Sequence, residues 1–125
     1  ITNGSKDIHV YSNGLVFNVK GKFVLPVSER IKQELKKNSG GDTTGCGDNF
    51  AGGLIGSVVN QLTLGISKPN LFEGLSWAVV SGGFACFYMG GTYFEKHPLE
   101  KLKRMKSYYD EYIIQLSYIE LIKTI

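Results

Sequence analysis

The residues best suited to chemistry lie in the stretch 40–54, where a glycine-rich turn runs into an apolar-periodic helix. Gly45, Cys46 and Gly47 have small side chains that leave their amide N–H groups accessible at the helix start. The helix dipole places about half a positive charge at such a start, which binds a phosphate oxygen without a lysine. Asp48 follows and can accept a proton from a hydroxyl that attacks the phosphate. The spacing therefore predicts an anion hole beside a general base.

Two other interpretations of these residues remain open. Asp48 can merely complement the helix dipole while the glycines form a tight turn, an arrangement that requires no ligand. Cys46 can instead be a nucleophile, because a helix N-terminus stabilises a thiolate. Such a nucleophile needs a histidine partner, and neither His9 nor His97 is close to it in sequence. We interpret both histidines as structural.

The whole stretch resembles the second signature of the ribokinase-type (PfkB) carbohydrate kinases, D-T-x-G-A-G-D followed by small residues and an apolar pair. The residues in register with it are Asp42, Thr43, Gly45, Gly47, Asp48, Gly52, Gly53, Leu54 and Ile55. Cys46 is the departure, since the family usually has alanine or glycine there. The resemblance implies ATP-dependent phosphoryl transfer, with Mg²⁺, to a hydroxyl of a small sugar-like or nucleoside-like substrate. Asp48 would be the general base, and the amides of Gly45–Gly47 the anion hole.

The same resemblance implies further site residues. In the family, a strand ending T-x-G-x-x-G precedes the signature, and its loop contacts the nucleotide phosphates. Thr2 and Gly4 match this pattern, whereas Asp7 replaces the second glycine. The family also has a later glycine loop that can hold a monovalent cation with the first aspartate of the signature. The candidates for K⁺ binding are Asp42, Thr44 and Gly91. Neither segment requires a ligand. The segment with Thr2 and Gly4 can be a plain hairpin corner, and the later glycines can simply end the preceding helix.

The remaining chain must position this junction. Alternating strand-like runs separated by turns predict a β-meander with strands at 1–4, 8–11, 15–19 and 23–25, and turns at 4–7, 12–14 and 20–22. Capping residues and apolar spacing predict helices at 28–37, 48–64, 71–89 and 99–122, the second with one buried face. The third run is apolar nearly all round, but Glu73, Ser76 and Ser81 interrupt it. We therefore expect it to be buried under a sheet rather than in a membrane.

The helix at 28–37 has no counterpart directly before the family signature, so we interpret it as an insertion. Its lysines form a cationic face. That face could lie near a phosphate, although a solvated surface is the favoured interpretation. The helix is therefore not assigned a function from the sequence.

Composition limits the classes of function. The 125 residues suffice for one domain. The net charge is only +3, and the positive residues are spread over two helical segments, which argues against nucleic acid as the main partner. The two cysteines are forty residues apart, a spacing typical of neither a zinc site nor a disulfide framework. Because these cysteines are not expected to pair, we expect a reducing cytoplasm, and no signal-peptide pattern is present.

Together these features predict an α/β protein in which residues 1–125 form the C-terminal nucleotide-binding and catalytic portion of a ribokinase-like three-layer α/β/α fold. By the resemblance, the N-terminal portion of the same enzyme carries the sugar site and a small β-sheet lid, and nothing in this sequence matches it. We expect that portion as a partner, and a homodimer is an assembly that the resemblance allows. The alternative function is a non-catalytic nucleotide- or phosphate-binding fragment without an acceptor site.

Overall fold

The computed structural model describes residues 1–2, 4–37 and 41–124, and the side chains up to residue 119. The elements are β1 (Ile8–Asn13), β2 (Lys20–Leu25), α1 (Glu29–Lys37), α2 (Cys46–Thr63), α3 (Leu71–Ala85), a short 3₁₀ turn (Met89–Gly91) and α4 (Glu100–Thr124). Within these ranges the protein is mixed α/β, with four α-helices and one two-stranded antiparallel sheet. The α/β class is confirmed, whereas the ribokinase-like three-layer arrangement stays a prediction.

The strands form one hairpin rather than the predicted meander. Its register runs from the Ile8–Leu25 pair to the Asn13–Lys20 pair. Residues 20–22 belong to β2 and do not form the predicted turn, so that prediction is wrong. The predicted first strand is absent at the described residues 1, 2 and 4, and Asn3 lies outside the description, as does Gly40 of the stretch 40–54.

Residues 15–19 also do not form the predicted strand, because Asn18 forms hydrogen bonds with the residues at the start of α3. The Asn18 N–H donates to the Pro69 carbonyl at 3.1 Å. The Asn18 side-chain oxygen accepts the N–H of Leu71, the first residue of α3, also at 3.1 Å. This stretch therefore bends toward a helix terminus instead of pairing with β1.

The predicted helices at 28–37 and 99–122 agree closely with α1 and α4, whereas α3 ends at Ala85, four residues before its predicted end, and α2 agrees in position but not in burial. α1 begins after Ser28, whose hydroxyl accepts the N–H of Ile31 at 3.3 Å as a cap. α2 begins at Cys46, two residues before the predicted start. Its outer residues Ile55 and Val59 are 62% and 55% exposed, so the predicted burial of the apolar face is wrong for that side.

Glycines explain which side of α2 is covered. A Cβ atom on Gly53 would lie 2.6 Å from the Ser81 hydroxyl oxygen, and one on Gly82 would lie 3.1 Å from the Cys46 carbonyl oxygen. These distances leave no ordinary contact for a larger side chain. α2 and α3 therefore pack through small residues, and the branched side chains of α2 point elsewhere.

α3 is the centre of the core, as its apolar sequence predicts. Eleven of its fifteen residues are buried. The hairpin contributes Ile8 and Leu25 to the same cluster, and α4 contributes Tyr112, which is fully buried. None of the helices that the structure describes is long and apolar enough to cross a membrane.

Tyrosines attach α4 to the rest of the protein. Tyr109 stacks on Trp77 with ring centroids 4.2 Å apart, and the Tyr112 hydroxyl donates to the Pro26 carbonyl at 2.6 Å. The Tyr108 hydroxyl donates to the Glu34 carboxylate at 2.7 Å. Burial, with that hydrogen bond, raises the pKa of Tyr108 to about 12. Burial likewise raises the pKa of Tyr109, so these hydroxyls stay protonated donors at neutral pH.

Candidate active site

The start of α2 is the element on which the candidate site is built. Gly45 has φ +76° and ψ 1°, a left-handed conformation that suits glycine and turns the chain into the helix. Among the described residues, no side chain caps this helix start. We call residues 45–48 the open start of α2.

The amides of the open start differ from the prediction at one residue. The Cys46 N–H donates to the Thr43 carbonyl at 3.3 Å and is not free, contrary to the predicted anion hole. The N–H groups of Gly45, Gly47 and Asp48 have no acceptor within the part of the chain that the structure describes. Sequence reasoning had treated Asp48 only as a carboxylate, and its amide was missed. The open start can therefore offer N–H donors to an anion, but not the complete predicted set.

Two cavities flank the open start. The smaller cavity, of about 500 Å³, lies between the loop after Ile1, α1 and the start of α2. It brings the predicted nucleotide residues Thr2 and Gly4 together with Cys46 and Gly47. Two pairs of predicted site residues, more than forty positions apart in sequence, thus line the same cavity.

The larger cavity, of about 840 Å³, lies on the other side of the open start, between α2, α3 and α4. Asp48 lines this cavity, together with Trp77 and Lys101. Asp48 is an exposed residue. Gly47 and its neighbour Asp48 therefore face different cavities, with the helix start between them.

Asp42 joins the turn before α2 to the glycine loop after α3. Its Oδ1 atom accepts the Thr44 N–H at 3.1 Å and the Gly90 N–H at 3.2 Å. A Cβ atom on Gly91 would lie 2.4 Å from the Thr44 carbonyl oxygen, so glycine is required for this contact. The three predicted cation-binding residues, Asp42, Thr44 and Gly91, are thus adjacent in space.

This cluster suits a cation only in part, because some of its oxygen atoms already accept hydrogen bonds. The Gly91 carbonyl accepts the Asn49 side-chain amide at 3.1 Å, and Asp42 Oδ1 already accepts two N–H groups. The Thr44 carbonyl oxygen lies beside them. Groups of three or more His, Cys, Asp or Glu side chains suited to a metal are absent from the described residues. Binding of K⁺ here stays a prediction that would rest largely on carbonyl oxygens.

Asn49 is a site residue that sequence reasoning missed. Its side-chain amide donates to the carbonyls of Gly45, at 2.9 Å, and Gly91, at 3.1 Å. The Lys101 ammonium donates to its side-chain oxygen at 3.3 Å. Asn49 therefore links the open start to the glycine loop and to α4. Its place directly after the Asp48 of the signature was the available signal.

Cys46 and Cys86 form a disulfide, with Cα atoms 6.2 Å apart. The prediction that these cysteines do not pair is wrong, because packing of α2 on α3 brings residues forty apart in sequence together. A disulfide sulfur carries no thiolate, so Cys46 is not a nucleophile in this form. Since the two cysteines pair, they no longer favour a reducing cytoplasm.

No protein-family model, no curated protein and no solved structure matches this chain. Function is therefore argued from the geometry. The open start can hold an anion with its N–H groups, and the Asp48 carboxylate beside them can accept a proton.

Proposed function

We propose that this chain is the nucleotide-binding and catalytic portion of a PfkB-type carbohydrate kinase. The reaction is transfer of the γ-phosphoryl group of ATP to a hydroxyl of a small sugar-like or nucleoside-like substrate. The observation that carries the proposal is the open start of α2. Its N–H groups at Gly47 and Asp48 have no acceptor among the described residues, and the exposed Asp48 carboxylate lies beside them. The resemblance of the surrounding sequence to the kinase signature supports the same function.

The two cavities support a division of tasks. Phosphoryl transfer needs the attacking and leaving oxygens on opposite sides of the phosphorus atom. The smaller cavity, with Thr2, Gly4 and Gly47, suits the nucleotide, whereas Asp48 lines the larger cavity. An alcohol that approaches from the larger cavity would meet Asp48 before it reaches a phosphate held at the open start. Asp48 would then take the hydroxyl proton while the N–H groups stabilise the charge on the phosphoryl oxygens.

Mg²⁺ bound with ATP would offset the charge of the phosphates. Within this proposal Asp42, Thr44 and Gly91 are the residues that would hold K⁺, next to the turn that carries the open start. The chain's own part is to bind and orient the phosphates and to accept the proton.

The proposal includes a missing partner. The branched side chains of α2, such as Ile55, Val59 and Leu62, are 62%, 55% and 51% exposed, an unusual amount of apolar surface on one helix. We propose that the N-terminal portion of the same enzyme packs here and supplies the acceptor site, with a homodimer as a further assembly. The isolated chain would then be a nucleotide-binding fragment without transfer activity, which is also the alternative function. A cytoplasmic location belongs to the proposal as well.

The test uses ATP binding by the 125-residue chain, measured by calorimetry. In Gly47→Pro the proline removes one N–H from the first helical turn, and no intrahelical hydrogen bond is lost because that N–H has no partner within the helix. Gly47→Ala is the matched control, since a Cβ atom there meets nothing within 4 Å and the N–H remains. We expect the proline variant to bind ATP about 10- to 100-fold more weakly, as for the loss of a hydrogen bond to a charged group.

The alanine variant should bind ATP as the wild type does. Circular dichroism of both variants checks that α2 persists. A wild-type chain that fails to bind ATP, or a proline variant that binds it unchanged, would contradict the proposal.

A further inference from the structure

The smaller cavity has an unbalanced charge. Its lining includes one ionisable side chain besides the paired cysteines, and that side chain is Lys32 of α1. No aspartate or glutamate in the described part of the chain lines the cavity. A space lined by a cation and by the Gly47 N–H, with no described carboxylate, favours an anionic ligand.

α1 holds Lys32 at this cavity by packing on its other residues. Ile31 is 3% exposed, and a Cβ atom on Gly83 would lie 3.0 Å from the Ile31 side chain, so α1 is in close contact with α3. The Ser28 hydroxyl caps the N-terminal end of α1. Lys32 is half-buried, whereas Lys37 on the same helix is exposed and does not line the cavity.

The acidic residues of α1, Glu29 and Glu34, form no ion pair with Lys32 among the described residues. Glu34 accepts from Arg30 Nε at 3.1 Å and from the Tyr108 hydroxyl at 2.7 Å, on the side of α4. The ion pairs found among the described residues do not include Lys32. The charge of Lys32 is therefore available to the cavity.

Other residues of the lining complete the site. Gly47 of the open start lines the cavity, and its N–H lacks an acceptor among the described residues. Phe50, Val79 and Ile8 add apolar surface to the lining. A ligand that combines negative charge with a flat apolar group suits this lining better than a neutral sugar does.

We propose that Lys32 binds the phosphates of the nucleotide in the smaller cavity, which the open start of α2 also lines. This inference rests on the proposed function and adds a binding residue from a helix that the signature resemblance does not account for. A lysine contributes a flexible point charge with three donors, which suits a triphosphate whose exact position is set by the backbone amides.

The test compares Lys32→Gln with Lys37→Gln in the 125-residue chain, using ATP, tripolyphosphate and adenosine as probes in calorimetry. Glutamine keeps much of the side-chain stem and removes the charge. We expect Lys32→Gln to weaken binding of ATP and of tripolyphosphate about tenfold each, as for a half-buried cation–phosphate contact. Adenosine binding should not change, and Lys37→Gln should bind all three probes as the wild type does. The salt dependence of ATP binding should be shallower in Lys32→Gln.

The outcomes separate this inference from the proposed function. If Lys32→Gln binds ATP unchanged while Gly47→Pro weakens it, the role of Lys32 is overturned and the proposed function stands. If Lys37→Gln has the same effect as Lys32→Gln, or if adenosine binding falls equally, the specific contact is overturned. If the wild type binds neither ATP nor tripolyphosphate, both proposals fail.

Discussion

The first turns of α2 and α3 solve the same physical problem in opposite ways. Each leaves N–H groups without helical partners. At α3 the protein supplies acceptors, since Asn70 accepts the Glu73 N–H at 3.1 Å and Asn18 accepts the Leu71 N–H at the same distance. At α2 the described residues provide neither a capping side chain nor an acceptor for the N–H groups of Gly47 and Asp48.

The comparison shows what folding alone requires. The chain contains asparagines that cap α3, so a lack of capping residues in the composition does not explain the uncapped start of α2. With glycine at the N-cap, the start of α2 loses roughly a few tenths of a kcal/mol of stability relative to a start capped by serine or asparagine. A ligand that brings its own acceptors can replace the cap. This difference is why we propose a function at α2 and none at α3.

The largest expected effect is on chemistry at the open start. In the complete enzyme, Asp48→Asn should lower turnover about 10²- to 10⁴-fold, because the amide cannot accept the hydroxyl proton. ATP affinity should remain near the wild-type value, since the backbone N–H groups are unchanged. Steady-state kinetics and calorimetry on the same preparation measure the two quantities. Near-normal turnover would remove the general base from the proposal and leave only an anion-binding site.

The next effect concerns how the open start is held in place. The disulfide ties Cys46, the first residue of α2, to Cys86 just after α3. Reduction with dithiothreitol should lower the free energy of unfolding by about 4 kcal/mol, from the chain-entropy relation for a loop of this length. Urea unfolding with and without the reductant gives this difference.

A double variant, Cys46→Ala with Cys86→Ala, is the control and should not respond to dithiothreitol. We also expect the double variant to bind ATP, because the proposed phosphate contacts are backbone amides. Loss of transfer activity in Cys46→Ala but not in Cys86→Ala, both in the complete enzyme, would instead favour the thiol mechanism, because both variants break the disulfide.

The smallest effect is expected at the capped helix. Asn70→Ala should reduce the free energy of unfolding by about 1 kcal/mol, because the Glu73 N–H loses its acceptor. ATP affinity should not change. Gly47→Pro should show the opposite pattern, with ATP binding impaired and little change in stability. If Asn70→Ala weakened ATP binding as much as Gly47→Pro does, the functional distinction between the two helix starts would be lost.

The sequence by itself was sufficient for features that are encoded within a few consecutive residues. The Ser28 cap, the turn at 4–7 and the burial of α3 were all predicted. Capping depends on residues three apart, and helical periodicity on residues three or four apart, so neither needs knowledge of the fold. Asp48 was likewise placed correctly on the first turn of α2.

Only the tertiary structure decided what depends on residues distant in sequence. Residues 15–19 look like a strand but bend toward the start of α3, and the half-exposed outer side of α2 follows from glycine contacts on the other side. The Cys46–Cys86 pair and the place of Lys32 at the smaller cavity also required the packed helices. Pairings of this kind are chosen by competition among many possible contacts, and the free energy that decides between them comes from the whole core rather than from any local pattern.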